Sequence, residues 1–248
     1  MIPIGDNVAR EHYPFVTYAL IGLNVWFFSI ELGQGPAIER FIAAWGVVPA
    51  RIMLWHQVPW VLITILTGMF LHAGWLHIIG NMIFLGVFGR SVEDDMGHGR
   101  FLFLYLAAGI VATVVQVAAA PASTVPELGA SGAIAGALGA YLLLFPRAKV
   151  FILIPLLIFF PVLVFPAWFV LIWWFLIQLV SGLHDLGSIQ SATGGVAYWA
   201  HVGGFIFGLA FAWPLSRGRP HRIRYYDPVH GLAHLGGGSG GGSTPAPL

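Results

Sequence analysis

Gly129-Ala130-Ser131-Gly132-Ala133-Ile134-Ala135-Gly136-Ala137-Leu138-Gly139-Ala140 sets one hydroxyl inside a run of very small side chains. Such a run lets a neighbouring helix approach closely. Seventy residues on, Ala200-His201-Val202-Gly203-Gly204, with Gly208 beyond it, holds the only histidine of the last apolar segment. Two helices of this kind, packed together, bring a hydroxyl and an imidazole within reach of one another inside an apolar environment.

The rest of the chain says what that environment is. Of 248 residues, 58% are hydrophobic and 8% charged, and the mean hydropathy is +0.84, values foreign to a water-soluble domain. Stretches free of Lys, Arg, Asp and Glu run over 12–30, 52–89, 101–126, 128–146, 150–184 and 186–216. Each has room for the roughly 20 apolar residues that cross a bilayer as a helix. The expected spans are 14–32, 74–90, 101–120, 130–146, 166–182 and 196–215, an all-α polytopic membrane protein with six transmembrane helices and a long outward first loop.

Six spans put both termini on one side, and the basic residues choose it. Arg10, Arg90, Arg100, Arg147, Lys149, Arg217, Arg219, Arg222 and Arg224 fall on one face, Arg40 and Arg51 on the other. Positive charge is retained on the cytoplasmic side, so both termini are expected there, in a bacterial-type inner (plasma) membrane. The near-neutral balance, formally +1, carries no nucleic-acid signature. The absence of cysteine excludes disulfides and thiolate metal sites.

The expected organisation is a cytoplasmic segment 1–13, a membrane domain 14–216 and a basic, then Gly/Ser-rich, flexible tail 217–248. Residues 33–73 carry Trp45, Trp55 and Trp60, rings suited to the membrane interface, and read as partly helical. Pro155, Pro161 and Pro166 break the apolar stretch 150–165, which reads as extended or bent before a helix starts near Pro166.

With the N-terminus inside, the second, fourth and sixth spans run from outside to inside. His77, Asn81, Ser131 and His201 then share one depth in the outer half of the bilayer. A serine hydroxyl is a weak nucleophile until a base takes its proton, and a neutral imidazole is such a base. The Ser131 backbone N–H, the Asn81 amide and the His77 ring are candidate donors to an oxyanion; His77 and Asn81 are four apart and share a helix face. No embedded acid is available to orient His201, which makes this a dyad with the base held by packing.

Joined in this order, His72-Ala73-Gly74-Trp75-Leu76-His77, Asn81, Glu93 to Gly97, Gly129-Ala130-Ser131-Gly132, Pro166-Ala167-Trp168 and Ala200-His201 with Gly204 and Gly208 resemble the rhomboid intramembrane serine proteases. The resemblance covers residues 14–215. It implies a six-helix rhomboid-like bundle acting on transmembrane-protein substrates within the bilayer, with Ser131 as nucleophile, His201 as base, His77 and Asn81 at the oxyanion hole, and no cofactor or metal. It also implies a mobile cap from residues 183–198 and the fifth helix. Many members carry a Trp-Arg pair nine residues before the histidine matching His72, where this chain has Ile63 and Thr64.

Other classes fit less well. No His-Glu-x-x-His string is present for zinc, the predicted spans hold no aspartate pair, and neither paired charges nor a repeated half suggests a transporter. A catalytically inactive rhomboid-like binder of membrane proteins is the nearest alternative, disfavoured because both nucleophile and base are present.

Overall fold

Each charge-free stretch contains a helix in the computed structural model, which describes residues 2–156, 159–185, 196–217, 225–227 and 231–233. In chain order the elements are β1 (Ile2–Asp6), α1 (Phe15–Gly33), α2 (Ile38–Trp45), α3 (Pro49–Ile52), α4 (Thr64–Thr67), α5 (Trp75–Phe84), α6 (Arg90–Met96), α7 (His98–Ala119), α8 (Ser131–Leu144), β2 (Lys149–Leu153), β3 (Val162–Pro166), α9 (Ala167–Asp185), α10 (Tyr198–Ser216), β4 (Tyr225–Asp227) and β5 (Gly231–Ala233). A turn of π-helix, Leu85–Gly89, joins α5 to α6.

The protein is thus mostly helical. Phe15–Gly33, Trp75–Met96, His98–Ala119 and Ala167–Asp185 are long and apolar enough to cross a membrane, so this is an integral membrane protein. At 14 residues, α8 is about 21 Å long, short of the ~30 Å hydrocarbon core. It need not meet lipid, because every residue from Gly132 to Tyr141 is buried within the protein. The helix ends at Phe145, whose helical conformation the following Pro146 disfavours.

Close packing of α8 on α10 follows from glycine on both. A Cβ on Gly204 would overlap the Gly132 carbonyl, one on Gly208 the Gly136 carbonyl, and one on Gly139 the Phe205 carbonyl. Backbone therefore meets backbone along this pair, with Ala112 and Ala108 of α7 against Gly132 and Gly136 on the adjoining face.

The stretch 150–165 is a β-hairpin. β2 pairs antiparallel with β3 from Lys149↔Pro166 to Leu153↔Val162, leaving Pro155 and Pro161 in the connection, where no ladder N–H is required. β1 adds to the other edge of β2, with Ile2 opposite Leu153 and Asp6 opposite Val150, its register shifted between Pro3 and Gly5. This small sheet is an addition to the all-helical reading of the sequence.

The same end of the molecule collects the polar contacts of four segments. Asp94 accepts from the backbone N–H groups of Glu11 and His12, Arg100 donates to the Leu215 and Arg217 carbonyls, and Tyr141 donates to Asp6. Glu93 is fully buried and accepts from Val16 N, Thr17 N and the Thr17 hydroxyl. It satisfies N–H groups that the first turn of α1 cannot satisfy itself.

At the opposite end, residues 34–74 fold over the start of α8. Val47 and Glu127 exchange backbone hydrogen bonds and Ala50 N donates to Ser123 O, while the Thr67 hydroxyl donates to Trp45 O. The expected partial helicity of this segment corresponds to α2, α3, α4 and three short 3-10 turns. Of the cap expected at 183–198, residues 186–195 lie outside the described residues, as does the Gly/Ser-rich stretch 236–243.

Candidate active site

The turn into α8 is built on Gly129. Its φ of +122° is a backbone conformation that side-chain-bearing residues rarely adopt. A Cβ there would also sit 2.8 Å from the His77 ring and 3.6 Å from the Asn81 amide nitrogen. Gly129 N–H donates to the Gly68 carbonyl, fixing the turn, and Ser131 follows as the first residue of α8. The first N–H groups of a helix lack intrahelical partners, so the backbone at Ser131 offers donors where His77 and Asn81 also lie.

His77 and Asn81 stand one turn apart on α5 and both face Gly129. Asn81 is buried, and its amide nitrogen lies 3.0 Å from Nε2 of His72. His72, whose ring meets that of His77 edge to face at 5.1 Å, is tied down in turn. Its backbone N–H donates to both carboxyl oxygens of Glu31 at 3.1 and 3.0 Å. Glu31 is 1% exposed, an acid from α1 that holds the segment leading into α5. Thr64, in the position of the missing arginine, uses its hydroxyl on the Val61 carbonyl within its own turn.

His201 comes from the other side. A Cβ on Gly132 would stand 3.7 Å from Ala200 Cβ, so the serine turn and the histidine turn are in direct contact. The His201 ring is buried, lies beside Trp174 with centroids 5.7 Å apart, and places Nδ1 2.7 Å from the carboxamide oxygen of Gln178 on α9. A carboxamide oxygen only accepts. Nδ1 therefore carries the proton and Nε2 the lone pair, the tautomer a general base requires. This corrects the expectation that packing alone would hold the base. The start of α10 is held by Gln116 of α7, whose side-chain oxygen accepts from Ala200 N–H at 3.1 Å, and by Trp199, which donates to the Gly182 carbonyl.

Ser131 Oγ has no hydrogen-bond partner among the described residues. It borders a cavity of about 30 Å³, lined also by Met69, Ala112, Thr113, Glu127 and Ala200. Burial pushes the Glu127 carboxyl up to about 8, and a hydrogen bond with the Gln116 side chain opposes that rise.

All four residues singled out in the sequence thus border the Gly129–Gly132 turn, His77 and Asn81 on one flank and His201 beyond Ala200 on the other. Gln178, Gln116, Glu127 and Glu31 went unmarked. Gln178 carries one sequence signal, being the only amide in the span expected at 166–182; Glu31 carries none beyond closing the charge-free stretch 12–30.

Chemistry, geometry and order along the chain converge with known proteins. The Rhomboid domain model matches residues 59–218. The chain is 31% identical over 212 residues to Rhomboid protein 1, mitochondrial, of Saccharomyces cerevisiae, covering 84% of this chain and 55% of that protein. It is 37% identical over 136 residues to Rhomboid protease GluP of Bacillus subtilis, covering 54% and 25%. To Putative rhomboid protease YdcA of the same bacterium it is 30% identical over 132 residues, covering 52% and 62%. The protein belongs to the rhomboid family. It spans about half the length of the yeast protein and a quarter of GluP, and its relatives include both mitochondrial and bacterial proteins.

Proposed function

We propose that the protein is an intramembrane serine endopeptidase that cleaves substrate proteins within or next to a transmembrane helix by a Ser131–His201 dyad. The observation that carries this reading is the contact of the Gly129–Gly132 turn with His77 and Asn81 on one side and Ala200, next to His201, on the other. Ser131 Oγ attacks the scissile carbonyl carbon, its proton passing to His201 Nε2 while the carbonyl electron pair moves onto oxygen. The Ser131 backbone N–H, Asn81 and His77 donate to that oxyanion. Collapse of the intermediate expels the amine, which takes the proton from His201. Water then repeats the sequence on the acyl-enzyme, releasing the carboxylic acid and restoring the serine.

In this reading α8 and α10 join Phe15–Gly33, Trp75–Met96, His98–Ala119 and Ala167–Asp185 as crossings. They form a six-helix domain over 14–216, flanked by segments 1–13 and 217–248, with both termini on the cytoplasmic side. A substrate helix must unwind locally, because its scissile carbonyl is otherwise held in a hydrogen bond.

The test is labelling by a serine-directed fluorophosphonate in lipid or mild detergent, with cleavage of a model single-span protein followed in parallel. Labelling and cleavage that both vanish in Ser131→Ala support the proposal. Parental cleavage by Ser131→Ala overturns it in favour of another mechanism, and a properly inserted parent that neither labels nor cleaves supports the inactive rhomboid-like binder.

A further inference from the structure

Among the residues that line the cavity beside Ser131, one is ionisable, Glu127. The mechanism above does not use it. Its place is fixed from two directions. Its backbone N–H donates to Val47 O at 2.7 Å and its carbonyl accepts from Val47 N at 3.1 Å, and its side chain is hydrogen-bonded to Gln116, the residue that holds Ala200 N–H. A carboxyl placed so firmly has lost little further freedom when a ligand arrives.

What meets it follows from the geometry of attack. The carbon bonded to Ser131 Oγ carries an oxygen, a leaving nitrogen and the α-carbon of the acylated residue. The oxygen faces His77 and Asn81 across Gly129, and the nitrogen must face His201 to receive its proton. The remaining direction is the cavity, which therefore takes the acylated residue's side chain. At about 30 Å³ it has room for a small side chain, and Met69 packed against Gly109 closes it on one side. A methyl or a hydroxymethyl side chain fits.

Resting on Ser131 as the nucleophile, we propose that Glu127 is a specificity-determining residue. Its carboxyl selects substrates in which the acylated residue is serine over those in which it is alanine. A carboxyl has an oxygen left to accept from the substrate hydroxyl whether it is ionised or neutral, while a methyl leaves that oxygen unpaired in a confined site, which costs affinity for the transition state.

The test uses the full chain in proteoliposomes and a model single-span substrate whose cut has been mapped by mass spectrometry. Two versions are compared, with serine or alanine on the N-terminal side of the scissile bond. One net hydrogen bond predicts a ratio of kcat/KM, serine to alanine, of about three to ten. Glu127→Leu removes the acceptor and brings the ratio to about one, whereas Glu127→Gln keeps a carbonyl acceptor and preserves most of it. Because each ratio is internal to one variant, a loss of folded protein does not alter it. A parent ratio near one, or a ratio unchanged in Glu127→Leu while Ser131 still labels, overturns the inference and leaves the protease reading standing. Absence of label and of cleavage of both substrates in the parent overturns the protease reading itself.

Discussion

Gln178 on α9 holds the imidazole of His201 on α10 through a 2.7 Å contact at Nδ1. The base is thus aimed by a neutral amide rather than by an acid. Imidazolium formed in the reaction strengthens this bond, and a hydrogen bond to a charged group contributes about 1.5–3 kcal/mol. Gln178→Ala should lower kcat by about ten- to a hundredfold while leaving KM for a transmembrane substrate nearly unchanged. Gln178→Glu should restore part of the rate. Steady-state kinetics on the three proteins checks this, and an unchanged kcat in Gln178→Ala would leave orientation to Trp174 alone.

The reacting pair should behave as one unit. Ser131→Ala and His201→Ala should each remove cleavage without loss of insertion, and the double variant should be no worse than either single. Cleavage and the thermal transition of each purified variant are the measurements. Additive losses would separate the two residues.

The glycines of α8 and α10 set the spacing between those residues. Gly208→Ala would place a methyl on the Gly136 carbonyl, and Gly204→Ala one on the Gly132 carbonyl. Overpacking of this kind costs about 1–3 kcal/mol. Both variants should melt earlier and lose more activity than Gly22→Ala, where nothing lies within 4 Å of the added carbon. Equal melting of the three would show that the helix pair is looser than its contacts.

Glu127 gives stability a pH dependence. Its carboxyl is raised from 4.5 to about 8 by burial, so between those values the folded protein binds a proton that the unfolded chain has lost. Stability therefore falls as pH rises through that window, is free of the penalty below it and bears all of it above. In Glu127→Gln that part of the decline disappears. Melting curves of parent and variant from about pH 5 to about pH 9 should converge at the acid end and separate at the alkaline end, the variant being the more stable.

Much of this was legible in the sequence because small residues and polar residues in apolar segments are local signals. Ser131, His201, His77 and Asn81 each stand out against their neighbours, and charge-free stretches locate the helices. Gln178 was not legible as the partner of His201, since that pairing depends on how α9 is rotated against α10, and α9 is apolar nearly all round. Glu31 meets His72 across 41 residues, through a loop whose path no periodicity records. β1 is five residues with a proline and a glycine. It is a strand only because β2 offers it an edge, and a hairpin interrupted by prolines reads in sequence as no more than bent chain.

The sheet has a mechanical consequence. α9 starts straight from β3, and its first residues are pinned, Ala167 N–H to Ala148 O at 2.7 Å and Trp168 N–H to Pro146 O at 3.1 Å. That end is fixed by the backbone, whereas the far end of α9 is tied to α10 through side chains, Gln178 to His201 and the Trp199 indole N–H to the Gly182 carbonyl. Gln178 stands eleven residues out, about 16 Å along the axis, so a swing of about 10° carries it about 3 Å, enough to break its hold on His201. In the protease proposed above, a swing of α9 that admitted a substrate helix would unaim the base, and its return would aim the base again. Passage and chemistry would then exclude each other, as the two doors of an airlock do, and water entering beside an open α9 would meet a serine with no base aimed at it.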